Sequence, residues 1–118
     1  MIAHVILFKP RSDLPSSERA GILRSLVSAA EDIPGVRQFR VGRRIRHGLP
    51  GYERAMHEDF EFLVIIEVDD VDALKGYLGH PSHAAFGRHF TQSAGAALAY
   101  DYEIVDAQDA GSLLMEAD

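Results

Sequence analysis

The chain has 118 residues, of which 47% are hydrophobic and 25% charged, the ordinary composition of a single globular domain. It contains no cysteine, which excludes disulfide frameworks, thiolate metal sites and cysteine nucleophiles. Acidic residues outnumber basic ones by 18 to 12, and the formal net charge of −6 argues against a protein that binds nucleic-acid phosphates.

The first half of the chain predicts a strand, a helix and a second strand. Residues 2–9 alternate in a pattern that is apolar on both faces, which is typical of a strand buried on both sides. A helix with apolar residues at helical spacing follows, capped by Ser16 or Ser17. The Pro-Gly pair at Pro34 ends this helix, and residues 36–44 predict the second strand.

The second half predicts two strands and two helical segments. The pattern FEFLVIIEV is the strongest strand signal in the chain. Acidic residues around Asp70 favour a helix start, and Pro81 breaks or restarts that helix. We expect a long connection at residues 45–58 and a strand at 60–68. Two helices follow, at 71–80 and 82–97, then a strand at 98–105 and a mobile acidic tail at 106–118.

This order, βαββαβ, is the split βαβ pattern of ferredoxin-like α+β folds. It predicts one domain over residues 2–105, with four antiparallel strands and helices on one face of the sheet. The other face carries Val5, Leu7, Leu63 and Ile65, which are too apolar to face water. A homodimer that buries this face is therefore expected.

Two other kinds of partner are not expected. On a strand, the arginine-rich stretch divides between two faces, with Arg37 and Arg43 on one and Arg40, Arg44 and Arg46 on the other, so we expect no nucleic acid. No apolar run approaches the roughly 20 residues of a membrane span. No basic leader precedes the first strand, and we expect a cytoplasmic protein without membrane contact.

Histidines in the segment YLGHPSHAAFG are the strongest candidates for chemistry. Pro81 places His80 at a helix cap and His83 in the first turn, where the helix end lowers the histidine pKa and favours its proton-accepting form. We expect Tyr77 and His4 to meet His83 at one end of an apolar pocket. The three side chains would together form an acid–base group. Each also has a structural interpretation: His4 as a hydrogen-bonded core histidine, His80 as a cap and Tyr77 as a core aromatic.

The remaining pocket residues are predicted from strand and helix faces. They are Ile6, Phe8, Ile22, Leu26, Phe62, Val64, His80 and Phe86. His80 and His83 could share a metal ion, but only His4 offers a further ligand and nothing brings Asp101 to them. We therefore expect no metal and no cofactor. His47 and His57 are expected in a loop, and His89 on a solvated helix face.

Several motifs together resemble the stress-response A/B barrel domain family, also called the dimeric α/β barrel or Dabb family. They are HVILFK, IPGV, FEFLVIIEV, YLGHPSHAAFG and YDYEIV, which run in the expected order from His4 to Val105. The resemblance implies a ferredoxin-like monomer that dimerises through its sheets into a barrel. It also implies a small-molecule pocket between sheet and helices in each subunit.

One plant branch of this family is a polyketide cyclase that performs an intramolecular aldol condensation. The resemblance implies that Tyr77 and His83 match its acid–base pair, and that His4 also has a histidine counterpart. This chain differs from that branch at Phe62, where the cyclase has a further histidine. Ala94 and Ala97, on the last predicted helix, are smaller than the bulky residues of the cyclase.

Three functions remain open at this point. The first is acid–base chemistry of the cyclase or lyase type on a small apolar or phenolic carbonyl compound. The second is a non-catalytic, stress-associated dimer in which the same residues only shape a pocket. The third, by fold analogy alone, is a cofactor-free monooxygenase.

Overall fold

A computed structural model describes residues 1–52 and 58–115, and it confirms the predicted ferredoxin-like βαββαβ order. The strands are β1 (Ile2–Pro10), β2 (Val36–Arg43), β3 (Phe62–Val68) and β4 (Ala94–Glu103). The helices are α1 (Ser16–Asp32), α2 (Val71–Leu78), α3 (Pro81–Ser93) and α4 (Ala110–Met115), with a 3₁₀ turn at Ala107–Asp109. The predicted loop residue His57 lies outside the described residues.

The four strands form one antiparallel sheet in the order β2-β3-β1-β4. Strand β1 is central, and its register aligns His4 with Ile66 on one side and with Asp101 on the other. Because paired residues on neighbouring strands share a face, these three side chains lie on the same side of the sheet.

The core lies between this face of the sheet and the helices. Ile6 and Ile66 of the sheet pack against Ala29 of α1, Tyr77 of α2 and Phe86 of α3. The alternation of the strands sends the other set of side chains to the opposite face, away from this core. On that face Val5, Leu7, Leu63 and Ile65 are half-buried, as the alternation predicts.

The helix starts agree with the sequence for two helices and disagree for one. The carboxylate of Asp70 accepts a hydrogen bond from the Ala73 backbone N–H and caps α2, and His80 caps α3 in the same way. The prediction that Ser16 or Ser17 caps α1 is wrong. Pro15 occupies that position and makes no side-chain cap, because its ring has no hydrogen-bond acceptor.

Helix α3 is shorter than predicted and β4 is correspondingly longer. Ala94 and Ala97 therefore belong to β4 rather than to the last helix, and Ala97 pairs with Phe8 of β1. Alanine favours helices intrinsically, but hydrogen bonding along β1 outweighs that preference. After β4, the expected mobile tail instead forms a 3₁₀ turn and α4 over the described residues.

Two further expectations concern polar side chains. His89 does not lie on a solvated helix face; it is half-buried, and its ring approaches Gly21 of α1. The arginine-rich stretch is engaged in ion pairs, namely Arg37–Asp69, Arg40–Glu67, Arg44–Asp59 and Arg46–Asp59.

Within the described ranges no helix is both long and apolar enough to cross a bilayer.

Candidate functional site

Three predicted site residues come together from three different elements. His4 lies on β1, Tyr77 in the last turn of α2 and His83 in the first turn of α3. The ring centroids are 4.9 Å apart for Tyr77–His83, 5.7 Å for His4–Tyr77 and 6.1 Å for His4–His83. We call these three side chains the ring cluster.

Asp101 is a fourth member of the site that the sequence interpretation missed. The Nδ1–H of the buried His4 donates a hydrogen bond of 2.6 Å to the Asp101 carboxylate. This bond fixes the orientation of the His4 ring and gives it an acidic neighbour. Ferredoxin-like topology places β1 and β4 side by side. Aligning these two strands in their register would have paired His4 with Asp101.

His83 is held in a form that can accept a proton. Its Nδ1–H donates to the backbone carbonyl of Leu78 at 3.0 Å, so in the neutral ring Nε2 is the unprotonated nitrogen. Burial lowers the pKa of His83, and the nearby His4 lowers it further, against the opposing effects of the Leu78 carbonyl and Asp101. The predicted direction of this pKa shift is confirmed, with burial as its main cause.

Tyr77 presents a buried hydroxyl without a partner. The side chain is fully buried, and within the described residues its hydroxyl has no hydrogen-bond partner. Burial raises the pKa of the Tyr77 hydroxyl, because the charged phenolate would be poorly solvated there. The group therefore stays protonated at ordinary pH and can donate to an oxygen atom brought next to it.

An apolar cavity of about 290 Å³ lies beside the ring cluster, between α1, α3 and the sheet. Six of the predicted pocket residues line it: Phe8, Ile22, Leu26, Phe62, Val64 and Phe86. Leu14 and Phe90 also belong to its wall, although the sequence interpretation did not include them.

The other two predicted pocket residues, Ile6 and His80, do not line the cavity. Ile6 is located between His4 and Phe8 on the helix-facing side of β1 and packs in the core with Tyr77 and Phe86. His80 is occupied as the cap of α3, where its Nδ1 accepts from the Ser82 backbone N–H at 3.0 Å. The three side chains of the ring cluster do not line the cavity, contrary to the expectation that they lie at one end of it; Phe86 connects the two, because it lines the cavity and packs in the same core cluster as Tyr77.

The chemistry available at this site is proton transfer. Among residues 1–52 and 58–115, no group of three or more His, Asp or Glu side chains could hold a metal ion. A neutral histidine beside a protonated tyrosine provides a base and a hydrogen-bond donor, the two groups that proton removal next to a carbonyl requires.

A ferredoxin-like α+β protein with two histidines and a tyrosine clustered between its sheet and helices is the class that this fold and site define. The model of the stress responsive A/B barrel domain matches residues 2–104, and the chain belongs to this family. The family resemblance noted in the sequence is thereby confirmed.

The chain is similar to plant enzymes and to bacterial proteins. The chain is 19% identical to olivetolic acid cyclase of Cannabis sativa over 101 residues, which cover 86% of this chain and 94% of the cyclase. A hydroxynitrile lyase from Passiflora edulis is similar in structure, with a TM-score of 0.73, 14% identity and coverage of 90% of this chain and 94% of the lyase.

A bacterial protein of similar fold is described as dimeric. A dimeric ferredoxin-like protein of unknown function from Thermobifida fusca has a TM-score of 0.67 and 19% identity, over 87% of this chain and 90% of that one. At these identities the structural matches establish the fold.

Proposed function

We propose that the protein is an acid–base enzyme of the cyclase or lyase type, acting on a small apolar or phenolic carbonyl compound. The observation that carries this proposal is the buried Tyr77 hydroxyl, which has no partner within the described residues and lies beside a histidine whose pKa is lowered. An unsatisfied buried hydroxyl costs free energy, about 1–3 kcal/mol, which a ligand oxygen would recover.

In the proposed reaction, Nε2 of His83 removes a proton from the carbon next to the substrate carbonyl. The C–H electron pair forms a carbon–carbon double bond, and the carbonyl oxygen becomes an enolate that accepts a hydrogen bond from Tyr77. The enolate carbon can then attack a second carbonyl, whose oxygen takes up the electron pair of its C=O bond and the proton from His83, or His83 can return the proton to the carbon. His4, oriented by Asp101, contributes a second polar ring beside the reacting group.

Two relatives support this class of reaction. Olivetolic acid cyclase is similar to this chain in sequence and the Passiflora hydroxynitrile lyase in fold, and their names describe a cyclisation and a lyase reaction. The apolar cavity next to the ring cluster supports a substrate with an apolar portion, since its wall is almost entirely aliphatic and aromatic.

The proposal is tested by proton exchange at the substrate carbon. The N-acetylcysteamine thioester of 3-oxodecanoate is incubated with protein in D₂O, and loss of its α-proton signal is followed by NMR. We expect exchange above the buffer rate, a loss on the order of a hundredfold in His83→Ala, and slower exchange in Tyr77→Phe, which lacks the hydroxyl that would hold the enolate oxygen. The exposed-loop variant His47→Ala is the control and should exchange like wild type.

A non-catalytic pocket predicts a different pattern. The wild-type protein would bind the thioester without accelerating exchange, and His83→Ala would lower the stability of the fold while leaving exchange at the buffer rate. That outcome would refute the enzymatic proposal.

We also propose that the chain forms a homodimer through the sheet face that bears Val5, Leu7, Leu63 and Ile65. The β4 register adds Leu98 and Tyr100 to this face, and they are 40% and 54% exposed. A contiguous apolar face of this kind marks an interaction site. The dimeric relative from Thermobifida fusca supports a second copy as its partner.

A further inference from the structure

The apolar cavity opens to solvent between α1 and the edge strand β2. Three of its lining residues are exposed and therefore mark the opening: Arg19 and Leu23 on α1, and Val41 on β2. Leu23 and Val41 are 63% and 51% exposed, so the apolar surface continues from the interior out to the opening. Arg19 and Leu23 are four residues apart and lie on one face of the helix.

Arg19 is the one charged residue among those that line the cavity. Its Nε–H donates to the backbone carbonyl of Leu14, another wall residue, at 3.5 Å. The carboxylates of Asp13 and Glu18 are not its partners, because both lie against Arg11, at 3.9 and 3.0 Å. Across the described ranges Arg19 has no ion pair, which leaves its two terminal nitrogens available at the opening.

The size of the cavity limits the ligand. An engineered protein cavity of about 150 Å³ lined by Leu, Ile and Phe takes up benzene. The present cavity, at about 290 Å³, has roughly twice that volume. It can therefore hold an apolar body of about eight to ten carbon atoms, and the opening can leave a polar end near Arg19.

We propose that this cavity binds an apolar organic carboxylate, with its hydrocarbon body between α1 and the sheet and its carboxylate on the Arg19 guanidinium. A guanidinium and a carboxylate form charge-assisted, often bidentate hydrogen bonds, which gives the opening a preference for an anion over a neutral alcohol. Arg19 is thus a specificity-determining residue. This inference rests on the proposed function in one respect: both assume that the cavity holds the apolar part of the substrate.

Calorimetric titration with octanoate and with 1-octanol tests the inference, because the two probes share a chain length and differ in charge. We expect octanoate to bind more tightly than octanol to the wild-type protein. Arg19→Gln should weaken octanoate binding at least fivefold and leave octanol binding within twofold. Arg24→Gln, an exposed arginine on the same helix outside this cavity, should leave both unchanged.

A cavity-filling variant localises the binding. Leu26→Trp should abolish binding of both probes, and Ile22→Phe serves the same purpose if the first variant does not fold. The inference is wrong if wild type binds neither probe, if Arg19→Gln weakens both equally, or if it leaves octanoate unaffected. Octanoate binding without proton exchange would refute only the proposed reaction, whereas exchange without octanoate binding would refute only this inference.

Discussion

At the scale of single residues, each ring in the cluster has a different polar environment. His4 is bonded to Asp101 and His83 to the Leu78 carbonyl, whereas Tyr77 has no partner within the described residues. Burial acts in opposite directions on two of them, since it lowers the pKa of His83 and raises that of Tyr77. Environments that push two pKa values apart assign one group as base and the other as acid.

The pH dependence of proton exchange follows from these shifts. In the proposed reaction the neutral form of His83 is the base, so the rate should rise with pH through a pKa below the ordinary value of about 6.5. The rate should then stay level to about pH 10, because the pKa of Tyr77 is raised above that value. A pH–rate profile, with NMR titration of the histidine ring protons, measures both. A rising limb above pH 7 would contradict the prediction.

The same shift links His83 to stability. Because its pKa is lowered in the native state, the unfolded chain binds more protons, and the free energy of unfolding rises with pH. This contribution is fully present above the unfolded value of about 6.5 and is lost as pH falls through the native pKa.

Replacement of His4 should alter the titration of its neighbour. In His4→Gln we expect the pKa of His83 to rise, because the electrostatic effect of His4, which lowers that pKa, is removed while the opposing effect of Asp101 remains. NMR titration of the His83 ring protons measures the shift, and His47→Gln is the control without effect. A fall in the His83 pKa would contradict the described geometry.

Residue types and local spacing were sufficient to predict that His4, Tyr77 and His83 meet. Strand alternation places His4 on the helix side, and Pro81 places His83 in a first helical turn. Asp101 could not be found in this way, because its bond to His4 spans 97 residues and depends on the register of β4. The unsatisfied Tyr77 hydroxyl is likewise a property of packing that no local pattern encodes.

At the scale of elements, α1 and α3 approach each other closely at Gly21. A Cβ atom added to Gly21 would lie 3.3 Å from Cε1 of His89, which is the end of a movable side chain. Gly76, in α2, has open space at the same position and offers a matched comparison. The two glycines therefore separate helix propensity from packing.

The free energy of unfolding should reveal this difference. Gly76→Ala should stabilise the protein by about 0.8–1 kcal/mol in any background, because alanine is the better helix former. Gly21→Ala should gain less in the wild-type background than in His89→Ala, where the close contact is absent. Urea unfolding at one fixed protein concentration measures both. Equal gains in the two backgrounds would contradict the contact.

Element boundaries were predicted well where a local signal exists and poorly where tertiary contacts decide. Asp70 and Pro81 mark the starts of α2 and α3, and both lie where the sequence places them. The end of α3 was misjudged because Ala94 pairs with Pro10 and the following residues continue the ladder along β1. The advantage of that ladder over a longer helix depends on a strand more than 80 residues away in the sequence.

At the scale of the whole molecule, the sheet separates two environments. Its helix-facing side holds the ring cluster and the cavity, and its other side presents an apolar surface extended by Leu98 and Tyr100. The alternation of β1 and β3 predicted this division. The part contributed by β4 follows from its register with β1, in which Leu7 pairs with Leu98 and Val5 with Tyr100.

The proposed dimer makes a definite prediction for this face. Leu63→Glu should dissociate the dimer, because it would bury an unpaired charge in an apolar contact of more than about 1,000 Å². Val71→Glu adds the same charge at an exposed apolar position on α2, away from this face, and should remain dimeric. Light scattering in dilute buffer measures the mass of each protein. A wild-type mass equal to that of one chain would refute the dimer, and dissociation by both variants would show that added charge, rather than this face, is responsible.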